Sequence, residues 1–326
     1  MSPYIMKNKA FTLIELLVVI TIIGILSGIV IVSVQDGIDR ARMAGSQRFS
    51  HSIRTRLALD MVGRWPFEFN AVDFSGWNNH GALVTGTAPC VGGPWVAGVT
   101  GQALCFDGSD DRVDMGRRTS LAPASITMEA WVNISALGTY NGIVTNKVDA
   151  NRGINLQVGT VQNIAALVGN GVGHRYIKTT WPPVLNSWYH IVITHDDASD
   201  NNILYVNGRQ ETISVFALVY DRADPITRIG MFYTFADISL PFNGIIDEVR
   251  IFRAAVPASY IQKRYVQGVK SLAANSGITQ EEKQQRIAEL RNSGQLVIDL
   301  DAALAGPIDF SSYTKYFESL SLDASE

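Results

Sequence analysis

The 326-residue sequence predicts an α+β chain: a long N-terminal transmembrane and spine α-helix, an antiparallel β-sandwich (jelly roll), and a short helical C-terminal tail. Three observations carry this prediction. Residues 11–34 form one apolar run with a single charge and no proline. Residues 65–267 break into short strand-like runs punctuated by Gly, Asn and Asp. Residues 268–326 return to helical patterning with a capping signal. The segments therefore read as 1–10, 11–34, 35–64, 65–267 and 268–326. With 47% hydrophobic and 17% charged residues the chain is neither disordered nor fibrous. A net charge of -3 gives no support for a nucleic-acid surface.

The apolar run is 24 residues long, about 36 Å as a helix, which suffices for a bilayer core of about 30 Å. Lys7 and Lys9 precede it and favour a cytoplasmic N-terminus with the remainder outside. A secretory signal peptide has a shorter core, so the plain alternative is an uncleaved signal anchor. Glu15 stands out, because a carboxylate at mid-bilayer costs about 2.5–3.5 kcal/mol on insertion scales. Such a charge calls for a partner. A cut between Ala10 and Phe11 would create an α-amine, and Glu15 of a neighbouring copy would pair with it.

The stretch KNKA-FTLIELLVVITIIGIL resembles the class III signal of type IV prepilins and pseudopilins. That resemblance implies a leader over 1–10, removal of it by a membrane prepilin peptidase, and methylation of Phe11. Glu15 then falls on the glutamate that is the fifth residue of the family's mature chain and serves assembly, and copies of the chain or other pilins become the partners of the helix. One position departs: the residue before the cut is usually Gly and here is Ala10.

Beyond the run, Phe49, Ile53, Leu57 and Met61 recur every four residues and make one apolar helical stripe. An extracytoplasmic amphipathic helix is expected over 35–64, packed by that stripe, with Gly63 and Pro66 marking its end. Strands are expected over 125–134, 187–194, 202–206 and 244–252. Asn207-Gly208, between ILYV and RQETISV, predicts a hairpin with a type I′ turn. Many short strands with such turns suggest two packed antiparallel sheets.

Four segments in order, at 73–81, at 101–111, through WYHIVIT and LYVNGR, and at FNGIIDEVRIF, together resemble the laminin G-like/concanavalin A-like jelly-roll family. The resemblance implies a sandwich that often holds one structural Ca²⁺ and often binds glycans or proteins. It also implies that the 73–81 loop lies near the DEVR strand, which makes Asp73, Asn78 and Asp247 candidate calcium ligands. The competing reading is an Asx-turn loop, with Glu248 paired to Arg250 on its own face. Asp107, Asp110 and Asp111 read as a solvated hairpin turn.

Catalysis finds no support, since ExDxxE, HExxH and GxSxG patterns are all missing, and the chain reads as no enzyme. Trp131 and Trp188 fall in strand motifs and are expected in the core. Trp77, Trp95, Tyr140 and Trp181 lie in loop-like stretches and are candidate ligand-binding aromatics, with loop packing as the competing role. Cys90 and Cys105 have 14 residues between them; in an oxidising compartment they are expected to pair, and two buried thiols are the alternative. Thr279 and Glu282 form a T-x-x-E capping box ahead of a helix, and 306–326 reads as extended or mobile.

Together these readings give a pilin-like or pseudopilin-like membrane-inserted subunit that displays a laminin G-like recognition domain on a surface filament. The alternatives are a membrane-anchored glycan-binding module that does not assemble, or a minor pseudopilin of a secretion or DNA-uptake machine.

Overall fold

The structure is a computed structural model that describes residues 13–14, 16–23, 58–86, 90, 92–138, 141–149, 151–159, 163–219, 225–233, 239–298 and 300–305. The chain divides into two units, Met1–Arg56 and Leu57–Glu326. In the first, residues 13–14 and 16–23 are α-helical and their apolar side chains are exposed. Ala10, Phe11, Glu15 and most of the expected 35–64 helix lie outside the described residues, as does 306–326. Among the described residues no helix is long and apolar enough to cross a membrane.

The second unit opens with β1 (Met61–Trp65), β2 (Ala82–Val84), β3 (Trp95–Ala97), β4 (Gln102–Asp107), β5 (Arg112–Arg117) and β6 (Ile126–Ile134). There follow β7 (Asn141–Asp149), β8 (Arg152–Val158), β9 (Ile164–Asn170), β10 (His174–Lys178), β11 (Trp188–Asp196) and β12 (Asn201–Val206). The last strands are β13 (Arg209–Val215), β14 (Ile226–Ile229), β15 (Met231–Tyr233), β16 (Ser239–Pro241) and β17 (Asn243–Phe252). Helices α1 (Ala258–Ala274), α2 (Gln280–Asn292) and α3 (Leu300–Ala305) close the unit.

Two antiparallel sheets face each other. One runs β13-β12-β11-β6-β17-β4-β3 and the other β10-β9-β8-β7-β14-β5-β2, while β15 and β16 form a separate ribbon. Strand alternation explains the packing. Ile126, Met128, Ala130, Val132 and Ile134 of β6 point inward and join Ile191 and Ile193 of β11 in the core between the sheets. The intervening Trp131 and Trp188 point the other way, into a second core shared with Tyr265, Val269 and Leu272 of α1 and with Ile287 and Leu290 of α2. The molecule thus has a third, helical layer over the outer face of the first sheet. Gly268 permits the close approach, since a Cβ there would lie 2.1 Å from the Trp131 ring.

The expected strands are present within one or two residues, and Asn207 and Gly208 both have positive φ, 52° and 75°, as a type I′ turn requires. Thr279 caps α2 by accepting a hydrogen bond from the Glu282 amide at 3.1 Å. One expectation is corrected. The 35–64 helix does not reach its expected end, because Met61–Trp65 is strand β1, buried throughout and paired with β17. Tertiary pairing overrides the four-residue spacing there, and the β-branched Val62 and aromatic Trp65 suit a strand better than a last helical turn. Helix α1 also crosses position 267, so the sandwich segment and the helical tail share one packed unit.

β17 changes neighbours along its length. Residues Asn243 to Ile246 pair with β4, and Val249 to Phe252 pair with β1. At the changeover lies a bulge at Asp247 and Glu248, with Glu248 at φ 51°. The bulge interrupts the plain alternation that side-by-side residues would otherwise follow.

Candidate functional site

The 73–81 loop is organised by Asp73. Its Oδ1 accepts from the amides of Arg64 (2.9 Å) and Ser75 (2.8 Å), and its Oδ2 accepts from the Ser75 hydroxyl and the Asn79 amide, both at 2.8 Å. Asn79 in turn donates to the Val62 carbonyl at 2.7 Å, and Trp65 Nε1 donates to the Asn79 carbonyl at 3.1 Å. These bonds lace the loop onto β1. Asn78 is exposed with φ 55°. Asp247 serves a different loop: Oδ2 accepts from the amides of Val99 (2.7 Å) and Thr100 (3.3 Å), and Oδ1 from that of Glu248 (2.7 Å). Burial, with Glu248 beside it, pushes its pKa well above the ordinary carboxylate value. The expected calcium ligands Asp73 and Asp247 thus spend their oxygens on separate backbone segments.

Another acidic group brings three carboxylates together. Asp107, Asp110 and Asp111 each offer a carboxylate oxygen, all within 4.8 Å of one another. Asp111 is buried and braced, accepting from the Gly86 amide (3.0 Å) and the Asp107 amide (3.0 Å). Asp107 Oδ1 accepts from the Ser109 amide at 2.7 Å, while its Oδ2 is buried with no hydrogen-bond partner. An orphaned carboxylate oxygen among two other carboxylates suits a hard, oxygen-seeking cation. The turn is therefore less solvated than its composition suggests.

The candidate aromatics separate by position. Trp77 is 45% exposed, with the Arg253 guanidinium 5.6 Å from its ring centroid, and Phe69 and Phe74 are exposed on the same loop. Trp95 is half-buried against the inter-sheet core, 6.2 Å from Phe69. Trp181 is held by Glu211, to which its Nε1 donates at 3.0 Å, and it packs on Tyr189. Tyr140 lies outside the described residues.

Sequence reasoning missed one concave site. The helical layer leaves one end of the outer sheet face uncovered, and there a groove of about 600 Å³ opens between the β11–β12 turn and residues 253–258. Thr194 sits on its floor, opposite Thr127 on one side and Ile203 on the other; Asp196 lies opposite Asn201 in the next outward row. The only signal in the sequence was the outward polar alternation of β11 and β12, and locating a groove with it requires the pairing register.

Residues 107–262 match the family model of the concanavalin A-like lectin/glucanases superfamily, Laminin_G_3, and residues 5–31 match that of the prokaryotic N-terminal methylation motif. The chain therefore carries a methylation motif ahead of a laminin G-like domain. No curated protein matches it. Among solved structures, domain 4 of AbnA, an extracellular arabinanase of Geobacillus stearothermophilus in complex with arabinotriose, has a TM-score of 0.53 at 20% identity, covering 62% of this chain and 97% of that one. The binding domain of Paraclostridial Mosquitocidal Protein 1 gives 0.52 at 18% identity, over 65% of this chain and 53% of that one. The receptor binding domain of botulinum neurotoxin C/D mosaic serotype gives 0.50 at 16%, over 65% and 52%. The chain spans about half the length of these two toxin domains, and the likeness in all three is one of fold.

Proposed function

We propose that this chain is the precursor of a type IV pilin-like subunit that presents a carbohydrate-binding, concanavalin A-like domain on a surface filament. The single observation carrying this reading is the union, in one chain, of the methylation motif at 5–31 with the lectin-like domain at 107–262. Prepilin peptidase removes residues 1–10 and Phe11 is methylated. The apolar helices pack with those of other copies, and Glu15 neutralises a neighbour's terminal amine. The sandwich serves as a binding module. Its neighbour from the arabinanase was solved with a bound oligosaccharide, which supports a sugar as ligand class. Asp107, Asp110 and Asp111 hold one structural Ca²⁺, which would brace the β4–β5 turn.

The N-terminal residue and its mass, measured on protein from membranes and from sheared cell surfaces, test the reading. A methylated Phe11 in the sheared fraction is the expected result. An intact Met1 found only in membranes would leave an anchored binding module.

A further inference from the structure

The groove at the uncovered end of the sheet is built before any ligand arrives. Thr127 Oγ1 donates to the Ala254 carbonyl at 2.7 Å and accepts from the Val256 amide at 3.0 Å, which pins one wall. Ser125 Oγ accepts from the Asp197 amide at 3.0 Å, which pins the other. Asp196 Oδ2 accepts from the Ser199 hydroxyl at 2.6 Å and so fixes both groups at the rim. Ile203, Tyr205 and Val256 supply apolar lining, while Asp196, Asn201 and Ser199 supply acceptors and donors.

The charge pattern selects among ligands. The β11–β12 turn carries Asp196, Asp197 and Asp200 and no basic residue. Arg253 at the opposite lip is already paired with Asp60, Nε to Oδ1 at 3.2 Å. An anion entering the groove would meet a surplus of carboxylate. A carboxylate beside an amide and a hydroxyl instead matches vicinal hydroxyl groups, and the apolar lining matches the C–H face of a pyranose or furanose ring. The volume falls within the range of about 300–1,000 Å³ typical of small-ligand sites.

We propose that this groove is the domain's saccharide subsite and that it takes a neutral sugar with vicinal hydroxyls, Asp196 and Asn201 holding the hydroxyls. The proposal rests on the carbohydrate-binding reading above and adds its location and charge class. Trp77, joined to the groove through Arg253, extends the surface toward a longer chain.

The test uses the full chain, purified in a detergent without a sugar headgroup, on an array of neutral (gluco-, manno-, galacto-, xylo- and arabino-) and acidic (uronic, sialylated and sulfated) oligosaccharides. Asp196→Ala removes the carboxylate acceptor at the rim. Ala255→Trp fills the groove from an exposed wall position with no buried contact to lose. The expected result is retention of neutral sugars by the parent chain and a loss of tenfold or more in both variants, with unchanged melting temperature. If Asp196→Ala fails to fold, Ala255→Trp decides alone. Neutral sugars bound equally by parent and variants would overturn the groove while leaving carbohydrate binding intact. Retention of acidic sugars alone would do the same. A parent chain that binds no sugar would bring down the carbohydrate-binding reading and the groove with it.

Discussion

Arg264 of helix α1 places its Nε 3.3 Å from Oε1 of Glu129, a carboxylate carried by sandwich strand β6 and buried to 1% exposure. The same Oε1 meets Arg250 at 3.3 Å and His190 Nε2 at 3.1 Å, and Arg264 reaches Glu248 at 3.2 Å. Arg250 also pairs with Glu248. Burial works against the ionised form of Glu129, but Arg250 and Arg264 outweigh it and hold its pKa well below the usual range; the same balance lowers that of Glu248. The helical layer is thus attached by charge as well as by apolar packing.

Replacing Arg264 with alanine would leave two buried carboxylates short of a counter-charge, and the expected cost is about 3–5 kcal/mol. Denaturant unfolding of the variant checks this. A loss under about 1 kcal/mol would mean that apolar contact alone seats the helix.

The same network makes stability depend on pH. Burial lowers the pKa of His190, although Glu129 opposes the shift. Its folded pKa lies below the unfolded value, so the unfolded chain takes up the proton first as pH falls through about 6.5. The His190 contribution is therefore fully present above that pH and is lost below it, by up to about 1.4 kcal/mol per pH unit for one proton. Asp247, raised by burial, contributes with the opposite sign. Its effect is common to parent and His190→Gln, so the difference between their slopes from pH 7.5 to 5.5 isolates the histidine. The parent is expected to lose more, and equal slopes would refute a titrating His190.

Cys90 and Cys105 form a disulfide with a Cα–Cα distance of 6.2 Å, tying the 90–105 loop to β4. Removing both sulfurs by serine substitution is expected to cost about 3 kcal/mol, the chain-entropy value for a closed loop of this size. Equal denaturation midpoints for parent and double variant would contradict that.

If Asp107, Asp110 and Asp111 hold calcium, millimolar Ca²⁺ raises the melting temperature of the parent and leaves Asp107→Asn unmoved. Identical melting curves for the parent in calcium and in chelator would remove the metal from the proposal.

The local grammar of this chain was readable in advance. Asn207-Gly208 announced its hairpin because only residues tolerant of positive φ fit a type I′ turn, and Thr279 announced its cap through Glu282 three residues on. Trp131 and Trp188 were legible as buried, yet alternation could not say which of two cores would receive them until the helices were seen to cover the sheet. Met61 misled because a single apolar residue fits a helical stripe and a strand equally well. The groove was hidden for a different reason. Thr127, Thr194 and Val256 are far apart in sequence, and only cross-strand register and the turn into α1 bring them together.

β1 is the first strand of the second unit, and its pairing with β17 ties that strand to one of the last. A pull along β1 loads Gly63, Arg64 and Trp65 against their partners together, in shear, rather than peeling them one at a time. Asp73 adds a clamp at Arg64 from outside the sheet. A strand held both by its ladder and by a side-chain clamp resists being drawn out lengthwise.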